Sequence, residues 1–421
     1  MCAPARTVPA PRQDTGSGSC ACRPKDPAPK WLRPRWRIFL TPARPRNYQR
    51  SLAPGKVPDA RDIIRRALRS CPSSTFYGGT AMNLRGRDLL CTQDWQMDEL
   101  LKVLELAEDM KRNRWTDKYA RVLERRTFFM FFYNPSVRTR QSFECAATEL
   151  GGHAQFLEPK SMRLKTEKTA GETVEDAAQV MSRYACGIGI RILEDKIGSY
   201  GEGHALLEEY AKWADVPVFS MAHDKFHPFQ GLADIMGLRQ HFGPENVAGK
   251  KLLVVWGHGA LARSWCSVQE ALLVGSRFGM DVTVAYPEGY DLDPAVMEQV
   301  KANCNQNGRN FEISHDPVKC YDGAHVVYSR NWMHPDAYRD GELHKAEEIE
   351  RSMKYTQWIC DEEKMKRTDD AIFTHPMPVD RGHEVTDSVA SSKRSIIYQV
   401  AENRLHVQKA VMALTMGGLE I

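Results

Sequence analysis

Thr127-Phe-Phe-Met-Phe-Phe-Tyr133-Asn-Pro-Ser136-Val-Arg-Thr-Arg140 decides the fold class. The stretch from Thr127 to Tyr133 is one continuous apolar run, and such a run suits a strand covered on both faces, as in a parallel sheet. Asn134-Pro135-Ser136 breaks it. A helix follows, with Phe143, Ala146, Ala147 and Leu150 as its buried stripe and Gly151-Gly152 as its stop. A buried strand that turns directly into a helix is the opening of a parallel α/β unit.

The pattern repeats outward. Strand-like runs cover Lys251 to Trp256, Asp281 to Tyr286, His325 to Ser329 and Ala371 to Thr374. Helical stretches alternate with them over Ser267 to Arg277 and Pro294 to Asn303, and a last helix spans Ala401 to Met416, with Val407, Val411 and Leu414 on its apolar side. Upstream, Met97, Leu100, Leu101 and Leu104 recur at helical spacing, with Asp94 or Thr92 as the expected cap. The expected fold is α/β, with two Rossmann-like domains of parallel sheets and helices on both faces. No internal repeat interrupts the alternation.

Composition narrows the class. The chain has 421 residues, 58 Lys+Arg against 54 Asp+Glu, and 42% apolar residues, a globular profile long enough for two or three domains. No apolar run approaches the ~18 residues of a membrane span. Eleven cysteines without a CxxC pair argue against a disulfide framework or a zinc ribbon, and for a reducing compartment. Residues 1–81 stand apart: 16 Lys+Arg, 4 Asp+Glu and 12 of the 23 prolines, with little periodicity beyond a short helix expected at Asp62 to Leu68. That composition predicts a disordered extension. Three explanations compete: an organelle-targeting peptide, a basic arm for nucleic acid or membrane surface, or an upstream extension of a chain that truly starts at Met82. Residues 82–421 carry a net −8, which argues against nucleic acid as the main partner.

Four motifs carry chemistry. Ser136-Val-Arg-Thr-Arg140 sits where strand gives way to helix, so backbone N–H groups and the positive helix end converge there. Ser136 and Thr139 add hydroxyls, and Arg138 adds a planar fork suited to phosphate oxygens. The competing reading is an ordinary charged helix start. In His227-Pro-Phe-Gln230, a neutral imidazole and an amide together can hold a carbonyl or an NH2 group, although a lone His is more often structural. His375-Pro-Met-Pro378, with Asp380-Arg-Gly-His-Glu384 after it, follows a strand's carboxyl end, where open α/β sheets bind ligands; the alternative is a merely rigid loop. Gly257-His-Gly259-Ala-Leu-Ala262 matches a dinucleotide fingerprint, but the next strand, Val282 to Tyr286, does not end in an acidic residue for a ribose.

Taken in order, Ser136-Val-Arg-Thr-Arg140, Arg191, His227-Pro-Phe-Gln230, His375-Pro-Met-Pro378 and Glu402-Asn-Arg-Leu-His406 resemble the aspartate/ornithine carbamoyltransferases over roughly residues 86–418. Phe132-Tyr-Asn-Pro-Ser-Val-Arg-Thr-Arg140, Leu150-Gly-Gly-His-Ala154 and Val327-Tyr-Ser-Arg-Asn-Trp332 look most like the N-acetylornithine enzymes and their knotted relatives. The resemblance implies transfer of a carbamoyl group from carbamoyl phosphate to an amino group, in arginine metabolism, with no cofactor and no metal. It places Ser136, Val137 (through its backbone), Arg138 and Thr139 on the phosphate. Arg191 reaches phosphate and carbamoyl oxygen, His227 and Gln230 hold the carbamoyl group, the backbone at Pro376 and Met377 accepts from its NH2, and Arg404 completes the cage. Arg191, His227 and Thr139 would stabilise the tetrahedral oxyanion. It further implies a cytoplasmic homotrimer with shared active sites, Lys165 and Lys168 lying on the loop that enters the neighbouring site.

The implied organisation is a carbamoyl-phosphate domain over 82–236, completed by the helix at 401–421, and an amino-acid domain over 237–400. The spacing between Trp256 and Phe278 matches the knotted members, so a deep trefoil knot is expected in the second domain, against the general rarity of knots. Departures concern the amine substrate. Ornithine enzymes carry an Asp where this chain has Arg330, which would repel an α-ammonium and attract a carboxylate. The acetylornithine enzyme has Lys there, but its second Lys is replaced by Glu384. Arg330, Trp332 and Glu384 are therefore the expected amino-acid contacts, and an N-acylated ornithine is favoured over free ornithine. The alternatives are a catalytically silent paralogue, an enzyme acting on aspartate or another amine, a dinucleotide enzyme, and a nucleic-acid binder through residues 1–81.

Overall fold

The computed structural model describes residues 82–159 and 170–420. The helix expected at Asp62 to Leu68 and the two lysines Lys165 and Lys168 lie outside the described residues.

Two parallel sheets organise the chain. The first holds β1 (Thr127–Phe132), β2 (His153–Leu157), β3 (Gly187–Arg191) and β4 (Val218–Ala222), in the order β2-β1-β3-β4. The second holds β5 (Lys251–Trp256), β6 (Asp281–Ala285), β7 (Phe311–Ser314), β8 (Val326–Arg330) and β9 (Ile372–Thr374), in the order β9-β8-β5-β6-β7. Every pairing within both is parallel. The longer helices are α1 (Met97–Arg112), α2 (Val137–Glu149), α3 (Val174–Ser182), α4 (Glu202–Trp213), α5 (Pro228–Phe242), α6 (Cys266–Arg277), α7 (Pro294–Gln306), α8 (Lys345–Ser352) and α9 (Ile397–Thr415).

The apolar run behaves as its composition requires. Phe128, Met130 and Phe132 enter one core with side chains of α1, α2, α5 and α9. Phe131 joins a second core with Ile188, Ile190 and residues of α3 and α4. Successive residues of a strand point to opposite faces, so only an all-apolar strand can feed both layers. The Phe128 ring lies 5.5 Å from Phe143 and 5.8 Å from Phe219. Each such buried ring contributes roughly 1.5–3 kcal/mol. β3 is the complement of this bulk: a Cβ at Gly189 would stand 2.6 Å from the Phe128 ring, so glycine admits the neighbouring aromatic.

Some boundaries differ from expectation. α1 is capped at Gln96, whose N–H donates to Glu99 Oε2 at 2.7 Å, rather than by Asp94 or Thr92. Those two are spent one turn earlier, in a short 3-10 helix where Asp94 accepts the Cys91 N–H at 3.0 Å. α9 begins at Ile397, ahead of Ala401. It packs on α1, α2 and α5, and its buried Lys409 donates to Glu149 Oε2 of α2 at 2.9 Å.

Each sheet has one point where strand order reverses, between β1 and β3 in the first and between β5 and β8 in the second. Loops leaving adjacent strands there go to opposite faces and open a crevice at the carboxyl ends. The four strands concerned end at Phe132, Arg191, Trp256 and Arg330.

Candidate active site

The two crevices contribute to one cavity. Its wall is built from Ser136, Arg138, Thr139, Arg191, Leu193, Glu194, Ala222, His227, Arg263, Ser264, Cys266, Ser267, Arg330, Pro376, Met377, Pro378 and Arg404.

Local structure explains how each group arrives. Ser136 caps α2, its Oγ accepting the Thr139 N–H at 3.3 Å. The amides of Val137 and Arg138 precede the first intrahelical donor, the Arg140 N–H, which bonds the Ser136 carbonyl at 3.2 Å, and have no partner within α2; the Val137 side chain itself points to solvent, 71% exposed. Arg191 ends β3, and its carbonyl accepts the Tyr133 N–H at 2.9 Å, which ties the two strand ends together. His227 is the N-cap residue of α5, with Pro228 at the first helical position. Arg404 reaches in from α9 and donates from Nη2 to Thr139 Oγ1 at 2.9 Å. That leaves the Thr139 hydroxyl hydrogen free to turn toward a ligand.

The electrostatics are lopsided. The Nε atoms of Arg138, Arg191, Arg330 and Arg404 and the Nδ1 of His227 are buried without a hydrogen-bond partner. Buried donors are ordinarily paired, so this many unanswered ones around one cavity call for an anion. Burial brings the Arg404 guanidinium down to about 9, with Arg191 and Arg138 adding repulsion. Burial, then Arg330, brings Arg263 down to about 10. Arg138 and Arg191 are lowered as well, burial again being the first cause. All four remain cationic at neutral pH. His227 is pulled well below the ordinary imidazole range by burial, then by Arg404 and Arg191, and is neutral there. A concentrated dianion would answer every one of these shifts at once.

The turn after β9 is held from behind. His375 Nδ1 accepts the Met377 N–H at 2.8 Å, so its proton sits on Nε2 and is donated to Glu384 Oε2 at 2.8 Å. Glu384 also accepts the Asn331 and Asp380 N–H groups at 2.8 Å each, and Arg330 Nη1 at 3.4 Å. Burial alone would raise this carboxyl; His375 and Arg330 outweigh it and bring it to about 2. His375 is lowered by burial and stays neutral. Met377 takes φ +56, a left-handed conformation that a long side chain accepts only when its surroundings enforce it.

The site residues expected from sequence thus divide. Ser136, Arg138, Thr139, Arg191, His227, Arg330, Pro376, Met377 and Arg404 meet at one cavity. Glu384 and Trp332 do not line it: Glu384 is fully buried with both oxygens bonded within the protein, and Trp332 is fully buried with its Nε1 donating to the Tyr290 carbonyl at 2.9 Å. Gln230 is not among the lining residues either; it is buried, donating from Nε2 to Asp234 Oδ1 at 2.9 Å, with its own Oε1 unpartnered. Burial pushes that Asp234 carboxyl up to about 8. Arg263, Ser264, Ser267 and Glu194 were not found from sequence. The signal for the first three was present: they follow the switch-point strand β5, just beyond the Gly257–Ala262 stretch read as a dinucleotide fingerprint.

That fingerprint is not built as one. The helix after β5 starts at Cys266, beyond Ala262. The Gly259 and Ala260 N–H groups, which would cradle a pyrophosphate, donate instead to Ser352 Oγ at 3.0 Å and Asp380 Oδ2 at 2.9 Å. Gly257 has a packing reason: a Cβ there would lie 2.8 Å from the Glu384 backbone.

Comparison with known proteins fits this geometry. Residues 87–240 match the carbamoyl-P binding domain of aspartate/ornithine carbamoyltransferase, and residues 249–415 match its Asp/Orn binding domain. The ornithine carbamoyltransferase of Thermococcus kodakarensis is 38% identical over 341 residues, covering 81% of this chain and 99% of the relative. The N-acetylornithine carbamoyltransferase of Xanthomonas campestris is 35% identical over 341 residues, covering 79% of this chain and 98% of the relative. A crystal structure of acetylornithine transcarbamylase complexed with acetylcitrulline superposes with a TM-score of 0.72 at 34% identity, covering 78% of this chain and 98% of that one. With both domains matched in order and relatives spanned nearly end to end, the chain is a carbamoyltransferase and belongs to the aspartate/ornithine carbamoyltransferase family.

Proposed function

We propose that the enzyme transfers the carbamoyl group of carbamoyl phosphate to the side-chain amine of an ornithine-type amino acid, with N-acylated ornithine preferred to free ornithine. The observation that carries this reading is the set of unpartnered buried guanidinium donors around the capped start of α2. In this reading the phosphate sits on the Val137 and Arg138 amides, the Ser136 and Thr139 hydroxyls and the Arg138 fork. The carbamoyl oxygen faces Arg191, Thr139 and neutral His227. The carbonyls around Pro376 and Met377, and the free Gln230 Oε1, accept from the carbamoyl NH2. A neutral amine adds to the carbonyl carbon, the oxyanion forms against donors already in place, and phosphate departs. Catalysis is orientation and electrostatics, with no protein nucleophile. The family's trimeric assembly is part of the same proposal.

Charge balance favours the acylated acceptor. Among the described residues, five guanidinium groups line the cavity, against Glu194 in the wall and Glu384 behind Arg330. Against so positive a lining, an acceptor that keeps its carboxylate but has a masked α-nitrogen is favoured over free ornithine, whose α-ammonium adds one more positive charge. An unanswered charge in such a site costs well over the ~1.4 kcal/mol of a tenfold rate difference.

A screen with carbamoyl phosphate and N-acetylornithine, N-succinylornithine, ornithine, aspartate and putrescine should give N-acetylornithine the highest kcat/KM, at least tenfold above ornithine. Ornithine or aspartate in first place would refute the specificity argument, and no ureido product from any amine would favour a silent paralogue.

The pH dependence follows from His227. Its depressed pKa keeps the imidazole neutral down through the ordinary range, so kcat/KM for carbamoyl phosphate should show no inflection at the ordinary value of 6.5 assignable to it. An inflection there that His227→Gln removes would contradict the neutral-imidazole role.

A further inference from the structure

An amine acceptor reaches neutral solution as an ammonium, with an ordinary pKa near ~10.4 for a lysine-like group. It must shed a proton before its nitrogen can attack, and a cavity walled by arginines repels it until it does. Among the described residues, Glu194 is the one carboxylate in that wall. Its Oε2 is buried and has no hydrogen-bond partner. Its backbone is held firmly: the carbonyl accepts the Tyr338 hydroxyl at 2.7 Å, and the preceding Leu193 N–H donates to Asn134 Oδ1 at 2.7 Å. The groups that feel its charge are Arg191 on β3, Arg263 in the loop after β5, Cys266 on α6 and Tyr338. A buried carboxylate oxygen left unanswered among arginines is as anomalous as the unanswered arginine donors, and it calls for a cation.

We infer that Glu194 binds the side-chain ammonium of the acceptor and takes its first proton, an inference that rests on the carbamoyl-transfer reading above. In the step, an N–H bond breaks, an O–H bond forms on Glu194, and the nitrogen keeps its electron pair. The free amine then attacks; the C–N bond forms, the C–O bond to phosphate breaks, and a second N–H proton leaves with phosphate as HPO4 2−. Glu194 returns its proton to water as product departs. The pairing also sets specificity: the far arginines take the acceptor's carboxylate, and Glu194 takes the end that reacts.

The test is Glu194→Gln, which keeps the shape and loses the charge and the proton acceptor. At pH 7 its kcat/KM for N-acetylornithine should fall about 10²-fold, the scale of one proton-transfer group. The deficit should shrink toward pH 9.5, where solvent supplies more free amine. Carbamoyl phosphate affinity, measured by titration calorimetry, should stay within twofold, and Glu194→Asp should recover part of the loss. A variant within threefold of wild type, a deficit equal at every pH, or a parallel loss of carbamoyl phosphate affinity would each overturn the role of Glu194. Wild-type protein that carbamoylates no amine would instead remove the function on which the role depends.

Discussion

Arg138→Ala should lower kcat/KM for carbamoyl phosphate on the order of 10³-fold. Two charge-assisted hydrogen bonds to phosphate are lost, each contributing roughly 1.5–3 kcal/mol. Arg404 and Arg330 are held away from the Arg138 position by their bonds to Thr139 at 2.9 Å and Glu384 at 3.4 Å. The control is two residues away. Arg140 is exposed, pairs with Glu144 at 2.8 Å and lies over the Phe156 ring at 4.0 Å. Arg140→Ala should leave kcat/KM within about threefold, since exposed pairs of this kind contribute roughly 1 kcal/mol or less, and to stability rather than to the site. Equal losses for the two variants would mean that the start of α2 acts as a generally charged surface and not as a phosphate cradle.

Glu384→Ala should destabilise the fold by about 3–5 kcal/mol, the scale for breaking a buried ion pair from one side. Four groups lose their acceptor together: Arg330, the His375 Nε2–H, and the Asn331 and Asp380 amides. Thermal unfolding should register this as a clear drop in Tm. The pH signature is distinctive. The folded carboxyl titrates at about 2, below its ordinary 4.5, so its stabilisation is complete above the ordinary value and is lost as pH falls from there toward 2. The variant should lack that part of the acid slope. It should also raise KM for carbamoyl phosphate, because the turn at 375–378 loses its support. A variant as stable as wild type would show the network to be dispensable.

Glu384 also marks where sequence reading stops. The residue lies in a loop after a ligand-bearing strand, and from sequence it looks like a substrate contact. Only the fold reveals that His375, nine residues earlier, and Arg330, from β8, already occupy it. Trp332 fails for the same reason: its position after the strand was legible, but not that Tyr290 and the core would absorb its indole. By contrast, Ser136, Arg138 and Thr139 were legible because their chemistry is local. Strand end, cap and fork fall within five residues, and the helix start fixes their relative geometry. β1 was legible for the same reason, since an all-apolar strand needs no knowledge of its neighbours. β3 was not: its glycines depress strand propensity and make sense only once Phe128 is seen to occupy the space. Glu194 and Arg263 needed still more, because their meaning depends on cavity walls contributed by both sheets.

Everything rests on the anion cage around α2, and a crystal structure of the protein soaked with carbamoyl phosphate tests it most directly. Expected is a phosphate group within hydrogen-bond distance of the Arg138 guanidinium, the Thr139 hydroxyl and the Val137 amide, with the carbamoyl oxygen toward Arg191 and His227. Density for the phosphate elsewhere, with the Nε atoms of Arg138, Arg191 and Arg404 still unpartnered at saturating ligand, would contradict it.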